Sequence, residues 1–199
     1  MEINKAVFLD KDGTLIPDIP YNGDPDLITL SPHAVTGLKR LMQSGYLLIV
    51  VSNQPGLAFG YINKEQLIAV RQRLNLLLNL HGIYLSGFYY CPHHVNGTVK
   101  EFNLVCDCRK PKAGLLIEAA KIHHIDLSSS WMIGDILDDV EAGNKAQCKT
   151  VLINNGNETL WKMNDERTPD YMVKDINQAA DYILESDQYK NRKTPFNIN

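Results

Sequence analysis

Long apolar stretches are missing from this sequence. The longest strand-like run, Leu47 to Val51, is far short of the roughly 20 residues that a membrane-spanning helix needs, so no membrane partner is expected. Glu2, Lys5 and Asp10 come too early for a secretory leader, which points to a cytoplasmic setting. Cysteine is sparse, at four residues. In a reducing compartment such residues are thiols or metal ligands before they are disulfides. Net charge is small as well: 20 Lys and Arg stand against 23 Asp and Glu, leaving −3. No extended basic face with interleaved aromatics is present, which argues against nucleic acid as a partner. An anion site in this chain has to be positive locally. There is no internal repeat, and a monomer is expected.

What is present is ordinary globular material. The hydrophobic share of 44% and charged share of 22% in 199 residues fit one domain. That domain is expected over residues 1–185, with a polar, flexible tail over 186–199. Short apolar runs at Ala6–Leu9, Tyr46–Val51, Gly87–Tyr90, Ser130–Ile133, Thr150–Ile153 and Tyr171–Val173 read as strands. Helical periodicity separates them. Ser31-Pro32 predicts a helix start carrying Val35, Leu38, Leu41 and Met42 on one face, with Gly45 ending it. Asn63 with Gln66 predicts a capping pair for a helix with Leu67, Val70, Leu74, Leu77 and Leu78 as its stripe. Further helices are expected over 113–123, around Val140–Ala146 and over Ile176–Leu184. Strands alternating with helices indicate a three-layer α/β/α fold around a mainly parallel sheet.

In such a sheet, ligands sit beyond the carboxyl ends of the strands. Three of these ends carry polar residues directly after apolar ones. Ala6–Leu9 stops at Asp10-Lys11-Asp12-Gly13-Thr14-Leu15. The second strand stops at Ser52-Asn53-Gln54, and the fourth at Gly134-Asp135. Two carboxylates one residue apart at a buried strand end are costly unless a cation or a reacting group needs them. The connection Pro17–Pro25 is long for an α/β loop and follows the first of these ends. Tyr21 and Asn22 there stand where a substrate could be touched.

A second constellation lies between residues 91 and 110. Cys91-Pro92-His93-His94 and Cys106-Asp107-Cys108 form C-x-H…C-x-C, with His93 or His94 as the nitrogen donor. Three thiolates and one imidazole make a closed tetrahedral Zn2+ site, which is structural because no position is left open. Its expected task is to order the loop and hold Arg109 and Lys110. Cys148, just before an apolar strand, reads as a plain buried thiol.

The strings D-K-D-G-T-L, S-N-Q-P-G, C-R-K-P and G-D-I-L-D-D resemble motifs I to IV of the haloacid-dehalogenase (HAD) superfamily. The C-P-H…C-D-C pattern narrows the resemblance to its histidinol-phosphatase-related branch, over about residues 5–155. The resemblance implies a Rossmann-like HAD fold and a Mg2+-dependent phosphomonoesterase. It makes Asp10 the nucleophile and Asp12 the general acid and base. Ser52, Asn53, Lys110 and Arg109 become the phosphate and substrate contacts. It assigns Mg2+ to Asp10, to the backbone carbonyl of Asp12 and to Asp135, and places Asp139 behind that set. It selects His93 over His94 as the zinc ligand beside Cys91, Cys106 and Cys108. The implied substrate is a small phosphorylated sugar, a heptose bisphosphate before histidinol phosphate. Two residues depart from the pattern: Ile136 where relatives carry Lys, and Phe59 where they tend to carry a base. A phosphotransferase or mutase, which would need to exclude water, and a catalytically silent zinc-stapled binding protein are the alternatives of another class.

Overall fold

The computed structural model describes residues 3–193. Six strands form one parallel sheet: β1 Lys5–Leu9, β2 Tyr46–Asn53, β3 Gly87–Cys91, β4 Trp131–Gly134, β5 Lys149–Ile153 and β6 Tyr171–Val173, in the order β3-β2-β1-β4-β5-β6. The apolar runs show no alternation because both faces of the sheet are covered. Ala6 and Phe8 pack to one side and Val7 and Leu9 to the other, and all four are buried. Burying a side chain such as Phe8 or Leu9 is worth about 1.5–3 kcal/mol each, so β1 is fixed at the centre, with Phe8 level with Ile49 of β2 and Met132 of β4.

Three helices cover the face of Val7 and Leu9: α1 Ala34–Gln43, α3 Lys64–Asn79 and α6 Ile176–Lys193. Two cover the other: α4 Gly114–His123 and α5 Leu137–Lys145. The expected three layers are therefore present. The capping box at Asn63 and Gln66 is formed as the sequence suggests, and Leu67, Val70, Leu74 and Leu78 are the buried stripe of α3.

Local differences have local causes. α1 begins at Ala34, and Ser31 is not its cap; His33 adopts a left-handed conformation (φ 62°), and Ser31 closes a turn by accepting from the Ala34 amide at 3.2 Å. A short helix, α2 Gly56–Phe59, follows β2 without a periodic signal, being one turn long. α5 starts three residues earlier than its apolar period, at Leu137, with Ile136 flanking it after Asp135. α6 continues past Leu184 to Lys193, so residues 186–193 are helical where a loose tail was expected; Asp187 there accepts from the Tyr46 hydroxyl and from Lys5. Residues 194–199, the remainder of that tail, lie outside the described residues. No helix among the described residues is long and apolar enough to cross a membrane.

The chain runs outward from β1 to β3, returns to β4 beside β1, and runs outward again to β6. The reversal lies between β1 and β4, the crevice where open α/β sheets bind ligands. Asp10 and Asp135 stand at its two lips, with the Asp10 amide bonded to the Ile133 carbonyl at 2.9 Å.

Candidate active site

A cavity of about 200 Å³ opens at this crevice, bordered by Asp10, Asp12, Asn53, Lys110 and Asp135. Segments at or beyond the ends of five strands, β1 to β5, supply its walls. The Lys110 ammonium is its centre. Its Nζ lies 2.5 Å from Asp10 Oδ1 and 2.6 Å from Asp139 Oδ1, and donates to the Val51 carbonyl at 2.9 Å. Burial alone would lower the Lys110 pKa, but Asp10 and Asp139 overcome it and raise it. The ammonium is thus a permanent charge. Asp139, which the sequence placed behind the metal set, is almost fully buried and holds Lys110 from below.

The carboxylates are crowded. Burial pushes the Asp10 carboxyl well above its ordinary value; Lys110 pulls it down, while Asp139, Asp135 and Asp12 push it up. Asp135 is pushed up to about 7, by burial first and then by Asp139. Carboxylate oxygens of Asp10, Asp135 and Asp139 all lie within 4.8 Å of one another. Three carboxylates against one ammonium leave a formal excess of two negative charges. A hard divalent cation with oxygen ligands fits that excess and that donor set.

Asp135 is aimed by two donors, Thr14 Oγ1 to Oδ1 at 3.1 Å and Asn157 Nδ2 to Oδ2 at 2.7 Å. Gly13 passes between them with φ +80°, and a Cβ there would overlap both the Asp135 carboxylate and the Asn157 amide. Only glycine allows both the left-handed turn and that approach. Asn155 adds a bond from its Nδ2 to the Gly13 carbonyl at 2.7 Å.

The Asp12 side chain points away from the acidic cluster. Its Oδ1 accepts from Lys11 at 2.7 Å and its Oδ2 from Gln54 Nε2 at 2.8 Å. The second Gln54 bond goes to Ser52 Oγ, also at 2.8 Å. Because the Ser52 hydroxyl accepts from Gln54, its own proton remains for a further acceptor. Asn53 borders the cavity, and its side chain is committed to Lys110: its Nδ2 donates to the Lys110 carbonyl and its Oδ1 accepts from the Lys110 amide, each at 3.0 Å. It positions Lys110. Ile136 borders the cavity as a neutral wall.

The metal loop starts at the end of β3, next to this cavity. Cys91 Sγ lies 3.5 Å from Cys106 Sγ and 3.0 Å from Cys108 Sγ, and His93 Nδ1 lies 3.3 Å from Cys108 Sγ and 3.7 Å from Cys91 Sγ. Zn–S bonds of ~2.3 Å in a tetrahedron put sulfurs ~3.8 Å apart, so the four donors are arranged around one point. His93 is the nitrogen donor in this geometry; the His94 ring instead packs on Phe59. Arg109 follows Cys108 and donates from Nη1 to the His93 carbonyl at 3.3 Å, which ties it to the loop. A small core of Leu57, Ala58, Ile62, Leu67 and Phe102 anchors the middle of the loop to α2 and α3. Cys148 is not part of this set, and burial pushes its thiol up to about 12.

Sequence reading missed Gln54, Asp18 and Asn157. Asp18 borders the cavity, and burial followed by the Asp12 charge raises its pKa. The run Asn154-Asn155-Gly156-Asn157 follows β5 as polar residues follow the other site-bearing strands, and that was the available signal.

Comparison with known proteins places this geometry. A family model described as HAD-hydrolase-like matches residues 107–179. The D-glycero-beta-D-manno-heptose-1,7-bisphosphate 7-phosphatase of Pasteurella multocida (strain Pm70) is 38% identical, covering 92% of this chain and 93% of the relative. The protein of the same name from Escherichia coli (strain K12) is 36% identical over 91% of this chain and 88% of its own. The crystal structure of D,D-heptose 1,7-bisphosphate phosphatase from B. bronchiseptica, complexed with magnesium and phosphate, superposes with a TM-score of 0.78 at 27% identity, covering 92% of this chain and 99% of that one.

Proposed function

The chain belongs to the D-glycero-beta-D-manno-heptose-1,7-bisphosphate 7-phosphatase family of HAD-like hydrolases, and from that premise we propose that it removes the 7-phosphate of that sugar bisphosphate by Mg2+-dependent hydrolysis through an aspartyl-phosphate on Asp10. The observation that carries the reading is the Lys110 ammonium held against Asp10 inside a cluster of carboxylates that matches a divalent cation.

Asp10 attacks phosphorus in line, and the bond to the sugar oxygen breaks. Asp12 gives its proton to that leaving oxygen. It then takes a proton from the water that attacks the aspartyl-phosphate, which frees inorganic phosphate and restores Asp10. Gln54 and Lys11 hold the Asp12 carboxyl in place for both transfers. Lys110 and the Ser52 hydroxyl bind the phosphoryl oxygens, and Lys110 offsets the repulsion between Asp10 and its target. Asn53 acts through the Lys110 backbone. Arg109 reaches toward oxygens at the far end of the substrate.

Asp10, the Asp12 carbonyl and Asp135 would hold Mg2+, which when bound screens phosphate charge and orients it. Cys91, His93, Cys106 and Cys108 would hold a structural Zn2+. Phosphate release from heptose 1,7-bisphosphate, beside histidinol phosphate, tests the assignment with Asp10→Asn as control. Preferred release from the heptose that is abolished in the variant is the expected result. Equal turnover by Asp10→Asn would remove the nucleophile, and a preference for histidinol phosphate would move the substrate.

A further inference from the structure

Three rings form a chain between two hollows that adjoin the active-site cavity. Tyr21 comes from the long loop after β1, Phe59 from the end of α2 and His94 from the metal loop. Tyr21 meets Phe59 edge-on at 6.3 Å between centroids, and Phe59 meets His94 at 4.8 Å. Tyr61 backs Tyr21 at 4.8 Å and stacks on Phe59 at 5.7 Å. Three separate segments thus converge on one aromatic edge, although Tyr21 remains 48% exposed. Tyr21 also occupies a left-handed conformation, with φ 54°. A non-glycine residue is costly there, and such strain gathers at binding sites.

The position of the edge matters. Tyr21 borders a cavity of about 280 Å³ that shares Asp12, Asp18 and Asn53 with the phosphate cavity. His94 borders another, of about 400 Å³, that reaches Arg109 and Lys110. The rings therefore run from beside the proton donor to a hollow lined by Arg109, Lys110, Lys112 and Lys145, which suits a far anionic group. A substrate with its reacting phosphate at Asp10 has its leaving oxygen at Asp12, and its carbon skeleton must leave along this edge.

We propose that Tyr21, held by Phe59 and Tyr61 behind it, is a specificity-determining residue, whose exposed ring stacks on the ring of the substrate's leaving group and so favours cyclic over open-chain phosphate esters. A pyranose offers an apolar C–H face suited to such a surface, and its second phosphate then falls toward Arg109. The proposal rests on the phosphatase reading above and names the part of the substrate that the catalytic residues do not touch.

The test is the ratio of kcat/KM for heptose 1,7-bisphosphate to that for glycerol phosphate, measured with Mg2+ for wild type, Tyr21→Ala, Phe59→Leu and Tyr21→Phe. Phe59→Leu keeps apolar volume where alanine could unfold α2. Tyr21→Ala and Phe59→Leu are expected to lower the ratio about three- to tenfold, the size of one aromatic contact, through KM for the cyclic ester. Tyr21→Phe is expected to retain the ratio. An unchanged ratio in Tyr21→Ala and Phe59→Leu, whether both activities hold or both fall together, overturns the proposal. If wild type ignores the heptose but cleaves histidinol phosphate, the substrate assignment fails separately, and the same ratio is read with that ring-bearing ester.

Discussion

Asn53 grips Lys110 by its backbone, donating from Nδ2 to the Lys110 carbonyl and accepting at Oδ1 from the Lys110 amide, both at 3.0 Å. Two residues 57 positions apart are thereby locked together, and the Lys110 ammonium is set against Asp10. Asn53→Ala removes both bonds and is expected to lower kcat about 100-fold, the effect of a displacement on the order of 1 Å at a reacting centre. Asn53→Asp, which keeps an acceptor but turns the other oxygen against a carbonyl, should rescue little. Steady-state kinetics of the pair checks this; wild-type kcat in Asn53→Ala would show that the grip is dispensable.

Gly13→Ala is expected to weaken Mg2+ binding more than it weakens the fold. The left-handed backbone costs about 1–2 kcal/mol for any residue with a Cβ, while the new methyl group displaces the Asp135 carboxylate and Asn157. A titration of turnover against Mg2+ should shift to higher concentration by at least about tenfold, the loss typical when the groups orienting a metal ligand are disturbed. An unshifted titration would separate Asp135 from the cation.

Without a cation, the Asp135 pKa is raised to about 7. The folded, metal-free protein therefore binds more protons than the unfolded chain between about pH 4 and pH 7. The stability contributed by the protonated group is complete below the unfolded value and is lost as pH rises through 7. Mg2+ needs the ionised carboxylate and restores what is lost. The rise in Tm on adding saturating Mg2+ should thus be larger near pH 8 than near about pH 5.5. Equal rises at both pH values in thermal unfolding would contradict the assignment.

Removal of zinc should loosen the metal loop unevenly. The ends that carry Cys91, His93, Cys106 and Cys108 lose their common centre, whereas Phe102 remains packed on α2 and α3. Amide exchange after verified chelation should accelerate at 91–94 and 104–110 and least at 99–103. Turnover should fall with it, because Arg109 and Lys110 continue directly from Cys108. Uniform protection across the loop would leave the zinc without this role.

The polar ends of β1, β2 and β4 were readable because a buried strand that stops abruptly at Asp or Ser has a physical reason to do so. The helix start at Ser31 was misread because a left-handed turn at His33 has no strong sequence signal. Asp139 could be placed behind the site but not joined to Lys110, since no periodicity reports a contact across 29 residues and two loops. Gln54 and Asn157 were missed for the same reason: their bonds to Asp12 and Asp135 join positions 42 and 22 residues apart.

The sequence by itself determined the layered fold, because burial patterns are written locally along the chain, and its short motifs carried the resemblance to the phosphatase family and marked the Cys and His residues between 91 and 108 as a candidate metal set. Tertiary structure decided which groups meet: Lys110 between Asp10 and Asp139, Asn53 on the Lys110 backbone, Gly13 beneath Asp135, and the aromatic edge from Tyr21 to His94. These are encounters between segments far apart in the chain. They follow from the crossover between β1 and β4 and from the loops gathered at the carboxyl ends of the strands.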